Sequence, residues 1–156
     1  MKKRKKMEQT VFRETMKSLL EHPKVREMKS FRHHRVTNTY THCKRVSECS
    51  YKIARLLHLN VDEESLARGA MLHDFYLYCF HDVNDLKGFS HGIHHPETAL
   101  ENANRYFSLN PVEENIILSH MWPLTITKVP HSKEAFLVCI ADKVCAIEEF
   151  VFGMQK

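Results

Sequence analysis

Apolar residues recur at helical spacing through almost the whole chain, and few residues interrupt them. Four glycines and five prolines in 156 residues are too few for the many short strands and turns of an all-β domain. Val46, Ile53 and Leu57, for example, fall on one face of a helix predicted over residues 41–57. The pattern predicts an all-α chain of about six to seven helices packed as a single compact bundle.

Capping residues predict where several of these helices begin. Asp62, Asn110 and Ser132 each stand where a side-chain oxygen can accept a hydrogen bond from the first turn of a helix. Pro96 is predicted in the first turn of another helix, after a loop over residues 80–94. The predicted helices cover residues 8–22, 41–57, 62–75, 96–107, 110–120 and 132 to the C terminus.

Positive charge is concentrated at the N terminus. The formal net charge is +4, and residues 2–6 are all lysine or arginine, so the rest of the chain is close to neutral. We expect residues 1–7 to be a basic disordered tail and residues 8–156 to form one helical domain. Basic stripes interleaved with aromatic residues are missing, which argues against a nucleic-acid partner. No apolar run approaches the roughly 20 residues of a membrane span.

The five cysteines are odd in number and include no C-x-x-C pair. No apolar stretch follows the basic tail, so the N terminus does not resemble a secretory signal. These features predict reduced thiols in a cytoplasmic protein, not a disulfide framework or a zinc ribbon.

Histidine is unusually frequent, with twelve residues in this chain, and it is the commonest metal ligand among side chains. His42 lies one helical turn before Val46, and His120 lies one turn after Ile116, so both fall on apolar faces. Asp142 interrupts the most apolar helix. A buried carboxylate needs a cation, a hydrogen-bonding partner or a metal ion.

His73 and Asp74 end a third helix whose apolar face includes Gly69 and Ala70. Taken singly, each such histidine is more often a hydrogen-bonded core residue, and a lone aspartate can cap a helix or pair with an arginine. Several on different helices of one small domain favour a shared site, because facing helices of a bundle converge on one interior. Such nitrogen and oxygen ligands suit Fe, Mn, Zn, Co or Ni.

The order of His42, the pair His73-Asp74 and Asp142 resembles the HD-domain superfamily of metal-dependent phosphohydrolases, whose pattern is H…HD…D. The local sequences YTHCKRVSE, ARGAMLHDFY and CIADKVCAIEE are similar to those of the superfamily, and the resemblance runs from about residue 31 to 150. HHPETALENA and ILSHMWPL are similar to the segments that hold a second metal ion in some members.

This resemblance implies two divalent ions, Fe or Mn first, with Zn, Co, Ni or Mg as alternatives. The ligands that it implies for the first ion are His42, His73, Asp74 and Asp142. Asp74 then bridges to a second ion held by His95 and His120. His95 directly precedes Pro96, as in the family motif, and His94 is the alternative ligand.

A metal site of this kind also needs residues that act on a substrate, and several side chains fall near its expected mouth. The candidate catalytic residues are Asp74, His81 and His91, and the candidate substrate-binding residues are Lys143, His34 and Trp122. Each of His34, His81 and His91 could donate a proton to the leaving group or bind phosphate, or could simply lie on the surface. Lys143 points about 100° away from Asp142 on a helix, so phosphate contact and simple surface exposure both stay open. Trp122 could stack on a base or only fill space.

The function implied is hydrolysis of a phosphate ester or anhydride of a small phosphorylated metabolite, a nucleotide or dinucleotide, by metal-activated water. Ala99 replaces the usual glycine of the cyclic-dinucleotide phosphodiesterase branch, and the GYP motif of that branch is absent, which argues against cyclic di-GMP. The chain resembles more closely a compact bacterial HD group of unassigned substrate, and its ligand spacing is similar to that of HD-type diadenosine tetraphosphate hydrolases. The alternatives are an HD-type di-iron oxygenase and a non-catalytic metal-containing regulatory module.

Overall fold

The computed structural model describes the backbone of residues 2–33, 37–79 and 88–153, and the side chains of residues 11–33, 37–79 and 92–153. These ranges contain seven α-helices, which confirms the all-α prediction. The helices are α1 (Lys2–Glu21), α2 (Pro23–Glu27), α3 (Thr39–Leu56), α4 (Glu63–Leu72), α5 (Gly88–Tyr106), α6 (Pro111–Ser119) and α7 (Lys133–Gly153).

The predicted capping residues begin three of the helices. The Asp62 side chain accepts hydrogen bonds from two backbone N–H groups in the first turn of α4. Asn110 and Glu113 form a capping box at α6, where each side chain accepts from the backbone N–H of the other. The Ser132 hydroxyl accepts from the N–H of Ala135 at the start of α7. These contacts confirm the sequence prediction at all three positions.

The predicted start of α5 is wrong. The helix begins at Gly88, so Pro96 lies in its interior and not in its first turn, and residues 88–94 are helical. Residues 80–87 of the predicted loop lie outside the described residues. Burial at Gly92, His95, Pro96 and Ala99 follows a helical period on both sides of the proline. Packing of this face therefore outweighs the backbone hydrogen bond that proline cannot make.

A short antiparallel ladder before α3 was not predicted, because residues 30–40 carry only an irregular polar pattern. A 3₁₀ turn (Met28–Ser30) leads into β1 (Arg32–His33), which pairs with β2 (Thr37–Asn38). Asn38 then caps α3 by accepting from the N–H of Thr41. The helix α1 begins at Lys2, so the backbone of residues 2–7 is helical where a disordered tail is expected from the sequence. The division between residues 1–7 and 8–156 itself stays a prediction, and the side chains of residues 1–10 lie outside the described ones.

The centre of the bundle is α4, which packs against α1, α3 and α6. Gly69 permits a close approach of α4 to α6: a Cβ atom at this position would lie 2.5 Å from Cδ1 of Ile116. Leu66, Ala70 and Leu72 are fully buried around it. The C-terminal end of α4, with His73 and Asp74, is therefore held inside the molecule.

The last helix, α7, has two different faces. One packs against α3 and α6, and the buried residues of the helix include the acidic Asp142 and Glu149. The other is apolar and open to solvent, with Ile140, Ile147 and Phe150 each more than half exposed. Among the helices described, none has the length and apolar character that crossing a bilayer requires.

Candidate metal centre

Five histidines and three carboxylates from six segments of the chain meet in one buried cluster. All are at most 9% exposed as whole residues. They are His33 in β1, His42 in α3, His73 and Asp74 at the end of α4, His95 in α5, His120 at the end of α6, and Asp142 and Glu149 in α7.

The first half of the cluster is formed by His42, His73, Asp74 and Asp142. Asp142 Oδ1 lies 3.0 Å from Nε2 of His42 and 3.4 Å from Nε2 of His73. Asp74 Oδ2 lies 3.8 Å from Nε2 of His42 and 3.5 Å from Nε2 of His73. Two imidazole nitrogens and two carboxylate oxygens therefore face a common point.

The second half of the cluster uses the other oxygen of Asp74. Oδ1 of this carboxylate lies 3.0 Å from Nε2 of His95 and 3.3 Å from Nε2 of His120. The two imidazole nitrogens lie 2.8 Å from each other. Asp74 thus stands between the halves, with one oxygen turned toward each.

These spacings fit divalent metal ions. Ligand atoms about 2.1 Å from one ion lie about 3.0–3.5 Å apart when they are neighbours around it. The measured separations around Asp74 and Asp142 fall at or near this range. Oδ1 of Asp74 and Nε2 of His73 are also buried and make no hydrogen bond of regular geometry, although other ring nitrogens and carboxylate oxygens of the cluster lie close to them. A metal ion would satisfy both atoms.

Hydrogen bonds on the far side of the rings orient the histidines. Nδ1 of His73 donates to the carbonyl of Ala70, and Nδ1 of His120 donates to the carbonyl of Ile117, both over 2.7 Å. When either ring is in its neutral form, its proton sits on Nδ1 and the lone pair of Nε2 faces the cluster. Such outer acceptors are usual behind metal-binding histidines.

Glu149 plays the corresponding part behind His42. Its carboxylate oxygens lie 3.1 and 3.2 Å from Nδ1 of His42. Arg45 in turn donates to the Glu149 carboxylate over 3.1 Å, so a positive charge stands behind the carboxylate. A carboxylate, a histidine and the metal position are thus aligned in the order typical of metalloenzymes.

The electrostatics of the cluster keep its carboxylates ionised. Burial acts to raise the pKa of Asp142 and of Asp74, but the neighbouring histidines outweigh it and hold both pKa values well below the ordinary range. Burial acts to lower the pKa of His42, yet hydrogen bonds with Asp142 and Glu149 raise it to about 9. In the metal-free protein these carboxylates therefore hold a proton on His42 that a metal ion would displace.

Cys43 is a further potential donor, within 4.8 Å of ligand atoms of His73 and Asp74. Burial raises the pKa of this thiol, which therefore stays protonated. Only the thiolate is a strong metal ligand. The nitrogen and oxygen atoms are therefore the effective donors of this cluster.

The six residues that the resemblance implies as metal ligands all lie in the cluster. They are His42, His73, Asp74, His95, His120 and Asp142. His94 lies outside it, with 63% of its side chain exposed. Between the two neighbouring histidines, the structure brings His95 to the other candidate ligands.

The remaining candidates are placed less directly. The Lys143 ammonium donates to the carbonyls of His120 and Cys139 over 3.0 and 3.3 Å. The Trp122 ring packs edge to face against Phe136. Neither contact involves a substrate, so the substrate-binding roles stay predictions. Three further candidates fall on side chains outside the described residues, namely His34, His81 and His91.

Sequence reasoning missed two members of the cluster, His33 and Glu149. Glu149 follows Asp142 by seven residues and lies on the same face of α7, so this spacing could have identified it. His33 lies in the two-residue strand β1, where no periodicity exists to assign it a face. Only the folded chain brings it to Asp74.

An α-helical bundle that converges histidines and aspartates on one buried point belongs to a class of proteins built to hold divalent metal ions. Within that class, the model of the HD domain family matches residues 39–147 of this chain. The chain therefore belongs to the HD domain family, whose members bind divalent metals and are mostly hydrolases. No curated protein and no solved structure matches it.

Proposed function

We propose that this protein is a phosphohydrolase that uses two divalent metal ions to cleave a small phosphorylated metabolite, a nucleotide or dinucleotide. The observation that carries the proposal is the position of Asp74. One of its oxygens faces His42 and His73, and the other faces His95 and His120. A carboxylate shared in this way is suited to hold two ions close enough to act on one phosphoryl group.

In this proposal each ion has its own protein ligands. His42, His73 and Asp142 would hold the first, His95 and His120 the second, and Asp74 both. Ions of this kind supply a bound water of lowered pKa and polarise a phosphoryl oxygen. Manganese and iron are the metals we favour, because imidazole and carboxylate ligands suit both.

The surrounding chain would keep the ligands rigid and mostly dry. Carbonyls of α4 and α6 and the Glu149 carboxylate fix the three histidine rings, so little reorganisation is needed when an ion binds. The Asp142 side chain retains 13% exposure, which leaves the cluster reachable from its side. Proton donation by His81 or His91, phosphate binding by Lys143 or His34, base stacking by Trp122 and a cytoplasmic location remain parts of the proposal.

The test is release of phosphate or of a nucleotide product by untagged protein reconstituted with manganese, cobalt or iron. The substrates are p-nitrophenyl phosphate, its bis ester, and a panel of nucleotides and dinucleotides, each with and without oxygen. We expect hydrolysis with manganese under anaerobic conditions. Asp74→Asn should lower the rate by at least about 100-fold, because it removes the shared negative ligand.

The matched control compares adjacent histidines. His95→Ala should lose activity and His94→Ala should retain it, since only His95 lies in the cluster. Absence of hydrolysis with every metal would contradict the proposal. Oxygen consumption that requires iron would instead support the oxygenase alternative, and metal binding with neither activity would support the regulatory module.

A further inference from the structure

His33 lies outside the region that matches the family model, in the short strand β1. We propose that His33 is a fifth protein ligand of the ion held by His42, His73, Asp74 and Asp142. The inference rests on the proposed two-metal site and adds that its two positions are unequal.

The distance from His33 to Asp74 supports this role. Nε2 of His33 lies 3.0 Å from Oδ2 of Asp74, the same oxygen that faces His42 and His73. This separation equals the one between His42 and Asp142 in the same half of the cluster. It fits two neighbouring ligands of one ion.

The orientation of the ring supports the same conclusion. The His33 ring is stacked on that of His42, with centroids 3.8 Å apart and an angle of 18° between the planes. Because Nε2 of each ring is directed at a carboxylate of the first half, both rings point the same way. Their ligand atoms and that of Asp74 all lie within 4.8 Å of one another.

The environment behind the ring repeats that of His42. Nδ1 of His33 lies 3.7 Å from Oε2 of Glu149, whose carboxylate also contacts Nδ1 of His42. One buried carboxylate therefore stands behind two parallel imidazoles. A histidine with its far nitrogen toward a carboxylate and its near nitrogen toward the cluster has the environment of a metal ligand.

The backbone fixes His33 in this position. His33 pairs with Thr37 in the ladder, and the N–H and hydroxyl of Thr39 both donate to the carbonyl of Phe31. These bonds tie β1 to the first turn of α3, the helix that carries His42. The His33 side chain is consequently only 10% exposed despite its place in a two-residue strand.

The consequence is that the two metal positions differ in their number of protein ligands. With His33, the first ion has five protein ligands, whereas the second has three, from Asp74, His95 and His120. An ion that accepts about six ligands would then keep one free position in the first site and three in the second. We therefore expect water and substrate oxygens to enter mainly at the second position.

The experiment measures the first position alone. In a His120→Ala background, which disables the second position, protein is loaded with one cobalt(II) ion per chain. X-ray absorption then counts imidazole ligands, and competition with a chelating dye gives the affinity. We expect three imidazoles, from His33, His42 and His73, and two in His33→Phe. Phenylalanine keeps a flat ring against His42 but lacks the nitrogen, so cobalt should bind at least about 10-fold more weakly.

Two controls make the result decisive. His131→Ala removes an exposed histidine and should leave the count and the affinity unchanged. The thermal unfolding of each metal-free variant shows whether it folds. If His33→Phe fails to fold, the number of imidazole ligands on cobalt in the His120→Ala protein still shows whether His33 is a ligand. Two imidazoles there, or an unchanged count and affinity in His33→Phe, would overturn the inference.

The same data separate this inference from the proposed function. Three imidazoles in a protein that hydrolyses no phosphate compound would keep His33 as a ligand and reject the phosphohydrolase. Hydrolysis by a protein with only two imidazoles at the first position would keep the phosphohydrolase and reject His33 as a ligand.

Discussion

At the scale of single residues, a carboxylate behind a histidine determines which ring nitrogen faces a metal ion. Glu149 does this for His42, and its own charge is balanced by Arg45. Burial acts to raise the pKa of Glu149, but the nearby His33 and the hydrogen-bonded His42 outweigh it and lower the pKa to about 2. The carboxylate is therefore charged under all ordinary conditions and raises the basicity of the ring that it contacts.

We expect Glu149→Gln to weaken metal binding by about 10- to 100-fold while leaving the fold intact, because the amide is similar in shape but uncharged. The measurement is a chelator competition with manganese. Glu148→Gln is the matched control, since Glu148 also pairs with Arg45 but its side chain is 48% exposed, whereas that of Glu149 is 1% exposed. Equal loss in both variants would show that Arg45 pairing, and not support of His42, is responsible.

Proton linkage gives the metal-free protein a defined pH dependence. His42 has a pKa raised from 6.5 to about 9, so its stabilising contribution is complete below pH 6.5 and is lost as the pH rises through 9. Asp74 and Asp142 have pKa values lowered from 3.8, and Glu149 has a pKa lowered from 4.5 to about 2. Their contributions are present above those ordinary values and are lost in acid.

We therefore expect the unfolding temperature of metal-free protein to be highest between about pH 4.5 and 6.5 and to fall on either side. Metal affinity should increase from pH 6.5 to about pH 9, where the stability of the metal-free protein falls, because the ion displaces the proton of His42. Thermal scans and metal titrations across this range measure both trends. An unfolding temperature of the metal-free protein that rises from pH 6.5 to 9 would contradict a protonated His42 held by Asp142 and Glu149.

At the scale of elements, the approach of α4 to α6 positions the end of α4 in the cluster. Gly69→Ala would place a methyl group 2.5 Å from Cδ1 and 2.9 Å from Cβ of Ile116. We expect a loss of about 1–3 kcal/mol in the free energy of unfolding, measured with denaturant, because a packed core resists added volume.

The control for this variant is Gly92→Ala in α5. There the added Cβ would come no closer than 3.3 Å to the end of the Leu124 side chain, and Leu124 is 45% exposed. The gain in helix propensity then offsets part of any crowding. Equal destabilisation of the two variants would argue against a special closeness of α4 and α6.

The elements also show how far sequence reasoning reaches. Asp62, Asn110 and Ser132 cap their helices as predicted, because capping depends on a side chain and the next few backbone groups. The start of α5 could not be predicted in the same way. Local rules place a proline in a first turn, whereas here the buried face around Pro96 extends the helix in both directions.

At the scale of the whole molecule, the candidate site depends on contacts between distant segments. His42 and Asp142 are identifiable from apolar faces of their own helices, but their meeting at 3.0 Å is a property of the packed bundle. His33 is separated from Asp74 by 41 residues and has no periodic pattern around it. Its membership of the cluster therefore requires the folded chain, in which the ladder and α3 set its position.

The most direct test of the account is the number of metal atoms in untagged protein, measured by mass spectrometry after purification and again after reconstitution with manganese. We expect close to two ions per chain, falling to about one in His95→Ala and unchanged in His94→Ala. One ion in the reconstituted wild type would remove the second position formed by Asp74, His95 and His120. No bound metal, even after reconstitution, would contradict the metal centre altogether.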